Sequence, residues 1–155
     1  MLGPGTLSGL FYEGYVWIMN HTFKTQLTVR VTDINYGGHL GNDSFYSFFH
    51  EVRIRYFREL GLSEGDIGEG VSLTQSEGHI EYKAEAFLGD VLLATVFIDQ
   101  ITRTRFRINY EFFRQSDGKL IGTGYAVLAA FDYNVRKPQK LPDSFVEKIN
   151  AYQKQ

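Results

Sequence analysis

The chain contains no cysteine. That excludes disulfides, thiolate metal sites and a cysteine nucleophile, and it suits a reducing compartment, so a cytoplasmic location is expected. No apolar run approaches the ~20 residues that a membrane span needs. Neither charge sign dominates: 16 Lys and Arg stand against 18 Asp and Glu, a formal net charge of −2. No global field therefore points to nucleic acid or an anionic membrane as a partner. The first residues lack the basic n-region and compact apolar core of a signal peptide. There is no internal repeat and no low-complexity tract, and no histidine spacing suggests a metal.

What is present fits one domain: 155 residues, 43% hydrophobic and 15% aromatic, enough for a real core. Residues 1–18 mix Gly3, Gly5, Gly9 and Gly14 with Leu10, Phe11, Tyr12, Tyr15, Val16 and Trp17. They are read as an N-terminal extension, with the domain itself spanning 19–155. Phe23 to Val31 alternates as a strand. From Asn42 to Leu60, Phe45, Phe48, Phe49, Val52, Tyr56 and Leu60 recur at spacings of three and four and predict a long helix. Asn42 or Asp43 would cap its start and Gly61 its end. Strands are expected over Val71–Gln75, Glu77–Tyr82, Val91–Thr102, Arg105–Arg114 and Leu120–Asp132. Ser116-Asp117-Gly118-Lys119 marks a hairpin, Asn134 to Pro142 a loop, and Ser144 to Tyr152 a closing helix. A strand, a long helix and then a run of antiparallel strands argue for an α+β fold.

The segment Thr32-Asp33-Ile34-Asn35-Tyr36-Gly37-Gly38-His39-Leu40-Gly41-Asn42-Asp43 concentrates the chemistry. It carries polar groups through a glycine-rich turn into a helix start, where free N–H groups and the positive end of the dipole favour developing negative charge. An acyl-transfer site needs that arrangement.

These residues resemble the hotdog-fold acyl-CoA thioesterases of the 4-hydroxybenzoyl-CoA thioesterase type. Many of those carry Asp-x-Asp-x-x-Gly-His-Val-Asn-Asn followed by an aromatic helix with Glu-x-Arg. Asp33, Gly38, His39 and Asn42 match the first part, and Glu51 and Arg53 the second. Asn35 stands where much of that family has its catalytic Asp, and Gly41 where it has the first Asn. The resemblance spans about residues 22–150. It implies a long central helix wrapped by a curved antiparallel sheet, hydrolysis of acyl-CoA to free acid and CoA without a cofactor, and a homo-oligomer, dimer or homotetramer, with sites between subunits.

On that reading Gly41 and Asn42 supply N–H donors to the thioester oxygen, and His39 orients water or acts as base. Asn35 can hold water or carbonyl but cannot be a base. Asp33 and Glu51 compete for the carboxylate role. Each also has a structural reading: Asp33 as a turn cap, Glu51 as an i,i+4 partner of Arg55. Burial in the helix's apolar surface would raise Glu51. Arg103, Arg105 and Arg107 alternate on one expected strand face, and Arg136 with Lys137 follows; Arg103 and Arg105 are the candidates for the CoA phosphates. Two alternatives stay open: a thioesterase acting on acyl carrier protein, and a non-catalytic acyl-CoA-binding module, which Asn35 favours.

Overall fold

The computed structural model describes residues 23–154. The expected extension, residues 1–18, lies outside the described residues, as do the first four residues of the expected domain and Gln155.

Helix α1, Asn42–Glu59, buries Phe45, Phe48, Phe49, Val52, Tyr56 and Phe57, as the three-and-four spacing requires. A six-stranded antiparallel sheet wraps it: β1 Phe23–Thr28, β2 Ser72–Tyr82, β3 Val91–Asp99, β4 Arg105–Arg114, β5 Leu120–Asp132 and β6 Lys137–Pro138, in the order β1-β3-β4-β5-β2, with β6 on the end of β5. This is the hotdog arrangement. Phe49 stacks on Tyr110 at 4.3 Å and on Phe112 at 5.5 Å between ring centroids. Two glycines of β5 make the close approach possible. A Cβ on Gly122 would lie 2.8 Å from the Phe45 ring, and one on Gly124 would strike both Phe49 and the β2 backbone. Helix α2, Asp143–Gln153, buries Phe145 and Ile149. Its Gln153 amide bonds both the N–H and the carbonyl of Ile98 on β3, at 2.7 and 2.8 Å.

Several boundaries differ from the sequence expectation. β1 stops at Thr28 because Asp33 turns the chain: its carboxylate accepts the Arg30 N–H at 2.8 Å and closes a single 3-10 turn over Val31–Asp33. The strands expected on either side of Ser76 are one strand, β2, with a bulge where the register to β5 slips between Gln75 and Glu77. β3 ends at Asp99, three residues early, because Gln100 takes φ +50° and Thr102 closes the hairpin to Arg105. The expected loop from Asn134 holds the short β6. α1 is capped by Gly41 rather than by Asn42 or Asp43, whereas Gly61, at φ +72°, stops it as expected.

Sheet alternation sorts the strands into two faces. Phe106, Ile108, Tyr110 and Phe112 of β4 face α1, and Arg105, Arg107, Asn109 and Glu111 face away. No helix of the described residues is long and apolar enough to cross a membrane.

Candidate active site

The segment entering α1 is held as a tight loop. Ile34 and Leu40 form an isolated bridge. The Asn35 N–H donates to the His39 carbonyl at 3.0 Å, and the Asn35 Oδ1 accepts the Gly37 N–H at 2.9 Å. Gly38 supplies the turn with φ +79°, a conformation that favours glycine. The Leu40 N–H donates to the Ala86 carbonyl at 2.8 Å, which ties this loop to the one between β2 and β3.

That tie builds a cleft of about 620 Å³ at the N-terminus of α1. Asn35, His39 and Asn42 line it from one side, and Tyr82, Lys83 and Glu85 from the other. His39 Nδ1 lies 3.2 Å from the Leu40 carbonyl. A carbonyl only accepts, so the tautomer that makes this bond carries its proton on Nδ1 and leaves Nε2 as an acceptor. The Gly41 N–H, an expected oxyanion donor, is taken by the Asp33 carbonyl at 3.0 Å. Nor is the space over Gly41 open, since Asp43 Oδ1 sits 2.7 Å from where its Cβ would be. The Asp43 N–H is satisfied by Asn42 Oδ1 at 3.0 Å. The N–H groups of Asn42 and Ser44 remain as the donors of the first turn.

The two carboxylates expected to compete for the base role lie elsewhere. Asp33 is buried, 5% exposed, and is gripped by the Arg30 guanidinium at 3.2 Å. Glu51 is half exposed rather than buried in the apolar surface. It accepts from Arg55 Nε at 2.8 Å, and Arg55 in turn anchors β1 through Thr25 Oγ1 and the Gln26 carbonyl. Glu51 lines a second cleft, of about 460 Å³, with Arg30, Ser47 and Arg55. The expected phosphate row also divides. Arg103 lies in the turn before β4, so only Arg105 and Arg107 share the strand's outer face, and Arg107 is committed to Asp99 at 3.3 Å. Arg105 pairs in register with Ala129 near the end of β5, whereas Gly122 near its start touches Phe45 of the first α1 turn. Arg103 and Arg105 are thus at the opposite end of the sheet from the cleft.

The pattern of the thioesterase-like superfamily matches residues 29–149. The chain belongs to that superfamily. A 1,4-dihydroxy-2-naphthoyl-CoA thioesterase from Synechocystis is similar at 24% identity and a TM-score of 0.76, with 83% of this chain and 96% of that one covered. A Staphylococcus aureus protein solved in complex with CoA is 25% identical at a TM-score of 0.77, covering 86% and 84%. A gentisyl-coenzyme A thioesterase is 17% identical at a TM-score of 0.72, covering 82% and 99%. No curated protein matches the chain.

Sequence reasoning missed two groups lining the thioesterase's cleft, Lys83 and Glu85. The stretch from Ile80 to Asp90 carries no functional motif. Only the Leu40–Ala86 bond brings it to His39. Lys83 is paired with Glu81 at 3.2 Å. Glu85 makes no ion pair among the described residues, which leaves it the one unpaired carboxylate lining this cleft.

Proposed function

We propose that the cleft at the N-terminus of α1 is where this thioesterase hydrolyses acyl-CoA. The observation that carries the reading is the convergence of Asn35, His39, Asn42 and Glu85 on one cleft at a helix start with two N–H donors still unpartnered. The thioester oxygen sits against the Asn42 and Ser44 N–H groups, where the tetrahedral intermediate's charge is stabilised. His39 Nε2 or Glu85 accepts a proton from the attacking water, and Asn35 Nδ2 is free to orient water or carbonyl. Lys83, not Arg103 or Arg105, is the cation nearest the cleft for a CoA phosphate. The solved relatives named for naphthoyl-CoA and gentisyl-CoA support an aromatic acyl group, for which Phe45 and Tyr82, in edge contact at 5.2 Å, form a suitable wall.

The edge of β2, unpaired among the described residues, supports a homodimer made by pairing two such edges, and a pair of dimers gives the homotetramer. A cytoplasmic location agrees with the chain's lack of cysteine. The cleft is tested by thiol release from acetyl-, hexanoyl-, palmitoyl-, benzoyl- and phenylacetyl-CoA. His39→Ala should lower kcat by about 10²–10⁴-fold and Glu85→Gln by a comparable factor if it is the base. Unchanged kcat in both would move the reaction elsewhere.

A binding-module reading is favoured by one observation: Asn35 Oδ1 is spent on the Gly37 N–H. Tight acyl-CoA binding by the wild type without thiol release would establish it.

A further inference from the structure

The sheet face turned away from α1 carries a third cavity, of about 430 Å³, that the thioesterase reading does not use. Two cross-strand rows make its floor. Lys24, Thr95, Glu111, Thr123 and Glu81 stand in register across β1, β3, β4, β5 and β2. Beside them run Phe97, Asn109, Tyr125 and His79.

Glu111 is the anomaly. Its side chain lines the cavity, is 7% exposed, and neither carboxyl oxygen accepts a hydrogen bond of good geometry. A buried carboxyl so poorly bonded is costly. The other carboxylates on this floor each have a polar partner. Asp99 accepts from Arg107 at 3.3 Å and from Asn109 at 2.9 Å. Glu81 is held by Lys83 at 3.2 Å and faces His79 at 3.8 Å. Arg107 lies over the Tyr125 ring, and His79 stacks on it. Glu77 meets the Tyr125 hydroxyl. Lys24 stands in the same row, two strands from Glu111, and no ion pair joins them. The cavity therefore presents a buried carboxyl whose two oxygens accept no hydrogen bond of good geometry, with the Thr95 and Thr123 hydroxyls on either side.

We propose that this cavity binds a small primary ammonium ion, with its N–H donors on the two Glu111 oxygens and the Thr123 hydroxyl. A primary ammonium brings one positive charge and three donors, the number these acceptors need. The volume is in the range of small-molecule sites, so a modest organic body fits behind the cation.

Burial pushes the Glu111 carboxyl up to about 7, with the nearby Thr95 hydroxyl holding the rise back. Binding of a cation then competes with a proton there. The groups facing Glu111 from the neighbouring strands are Lys24, Thr95, Asp99, Thr123, Glu81 and His79, and the His79 imidazole among them calls for a control. A His79→Gln background isolates the Glu111 contribution.

The test is an amide-resolved NMR titration of the full chain with 2-phenylethylammonium chloride, with neutral 2-phenylethanol as the control. The expected result is saturable shifts at Thr95, Glu111 and Thr123 at pH 8. Affinity should fall about tenfold at pH 6, as a carboxyl titrating near 7 requires, in the His79→Gln background too. Glu111→Gln, which keeps the shape, should lose at least tenfold, and Thr123→Val should weaken binding while leaving the fold intact. Three results would overturn the proposal: no shift at those amides at millimolar ammonium, equal binding of the alcohol, or equal affinity in Glu111→Gln. A change of sedimenting mass in Glu111→Gln with no ammonium binding by the wild type would make the face a contact between copies instead.

Discussion

Arginine side chains decide which carboxylates of this chain are available for chemistry. Arg30 holds Asp33, Arg55 holds Glu51, Arg53 holds Glu64, and Arg114 holds both Asp90 and Asp117. Of these pairings only Glu51 with Arg55 was legible beforehand. The i,i+4 spacing announces Glu51 and Arg55, and the sequence reading kept that possibility open beside the catalytic one. Nothing in the order of residues announces that Arg53, the family's helical arginine, would be buried and reach Glu64 and the Tyr110 hydroxyl. Burial pushes that tyrosine up to about 12, with Arg53 drawing it back. Glu85 escapes such pairing, so Glu85→Gln should cost far more turnover than Asp33→Asn at equal folding, read as kcat from thiol release. Glu111 gives a stability prediction of definite sign. Its carboxyl is raised in the folded state, to about 7, so the folded chain binds the proton more tightly than the unfolded one. Folding stability therefore falls as pH rises from the ordinary carboxylate range through about 7 and is flat above it. Glu111→Gln should raise the melting temperature at pH 8, by an amount worth on the order of 1–3 kcal/mol, and the gain should disappear near pH 4.

At the scale of elements, the helix and the sheet order followed from periodicity, while the boundaries did not. α1 was readable because six apolar residues recur at spacings of three and four. The shortened β1 and β3 were not, because their ends are set by side-chain turns, Asp33 onto Arg30 and Thr102 onto Arg105, that alternation does not encode. The Ser76 bulge was half visible as a break between two expected strands. It shifts the register so that Gln75 faces Arg53 inside while Glu77 and His79 face out. The paired glycines Gly122 and Gly124 show what alternation leaves out: they let two phenylalanines of α1 rest on the β5 backbone. Gly124→Ala should therefore destabilise by about 1–3 kcal/mol or more through overpacking, measured by denaturant midpoint. An equal change at Gly65, where the nearest atom to a new Cβ is 3.8 Å away, should cost little.

For the whole molecule, the fold and the family were legible from one twelve-residue segment together with the helix after it. The assembly of the cleft was not. It depends on the loop between β2 and β3 returning to Leu40, a contact between residues 46 positions apart, and it brings in Glu85 while leaving Glu51 in a neighbouring cleft with Arg30 and Arg55. β2 closes the sheet with a run of exposed residues from Gln75 to His79, an edge that no other strand of the described residues pairs and that would template another strand. If two copies pair there, Ile80→Pro, at a position whose N–H points away from β5, should remove a donor to the second copy and shift the mass seen by light scattering toward the monomer; an unchanged mass would place the contact elsewhere.

The most direct measurement is kcat for thiol release from benzoyl-CoA by wild type, His39→Ala, Glu85→Gln and Glu51→Gln, each checked for folding. A cleft at the start of α1 predicts that His39→Ala and Glu85→Gln lose most of the turnover and Glu51→Gln keeps it. Loss confined to Glu51→Gln would contradict the account and move the chemistry to the cleft that Glu51 shares with Arg30 and Arg55.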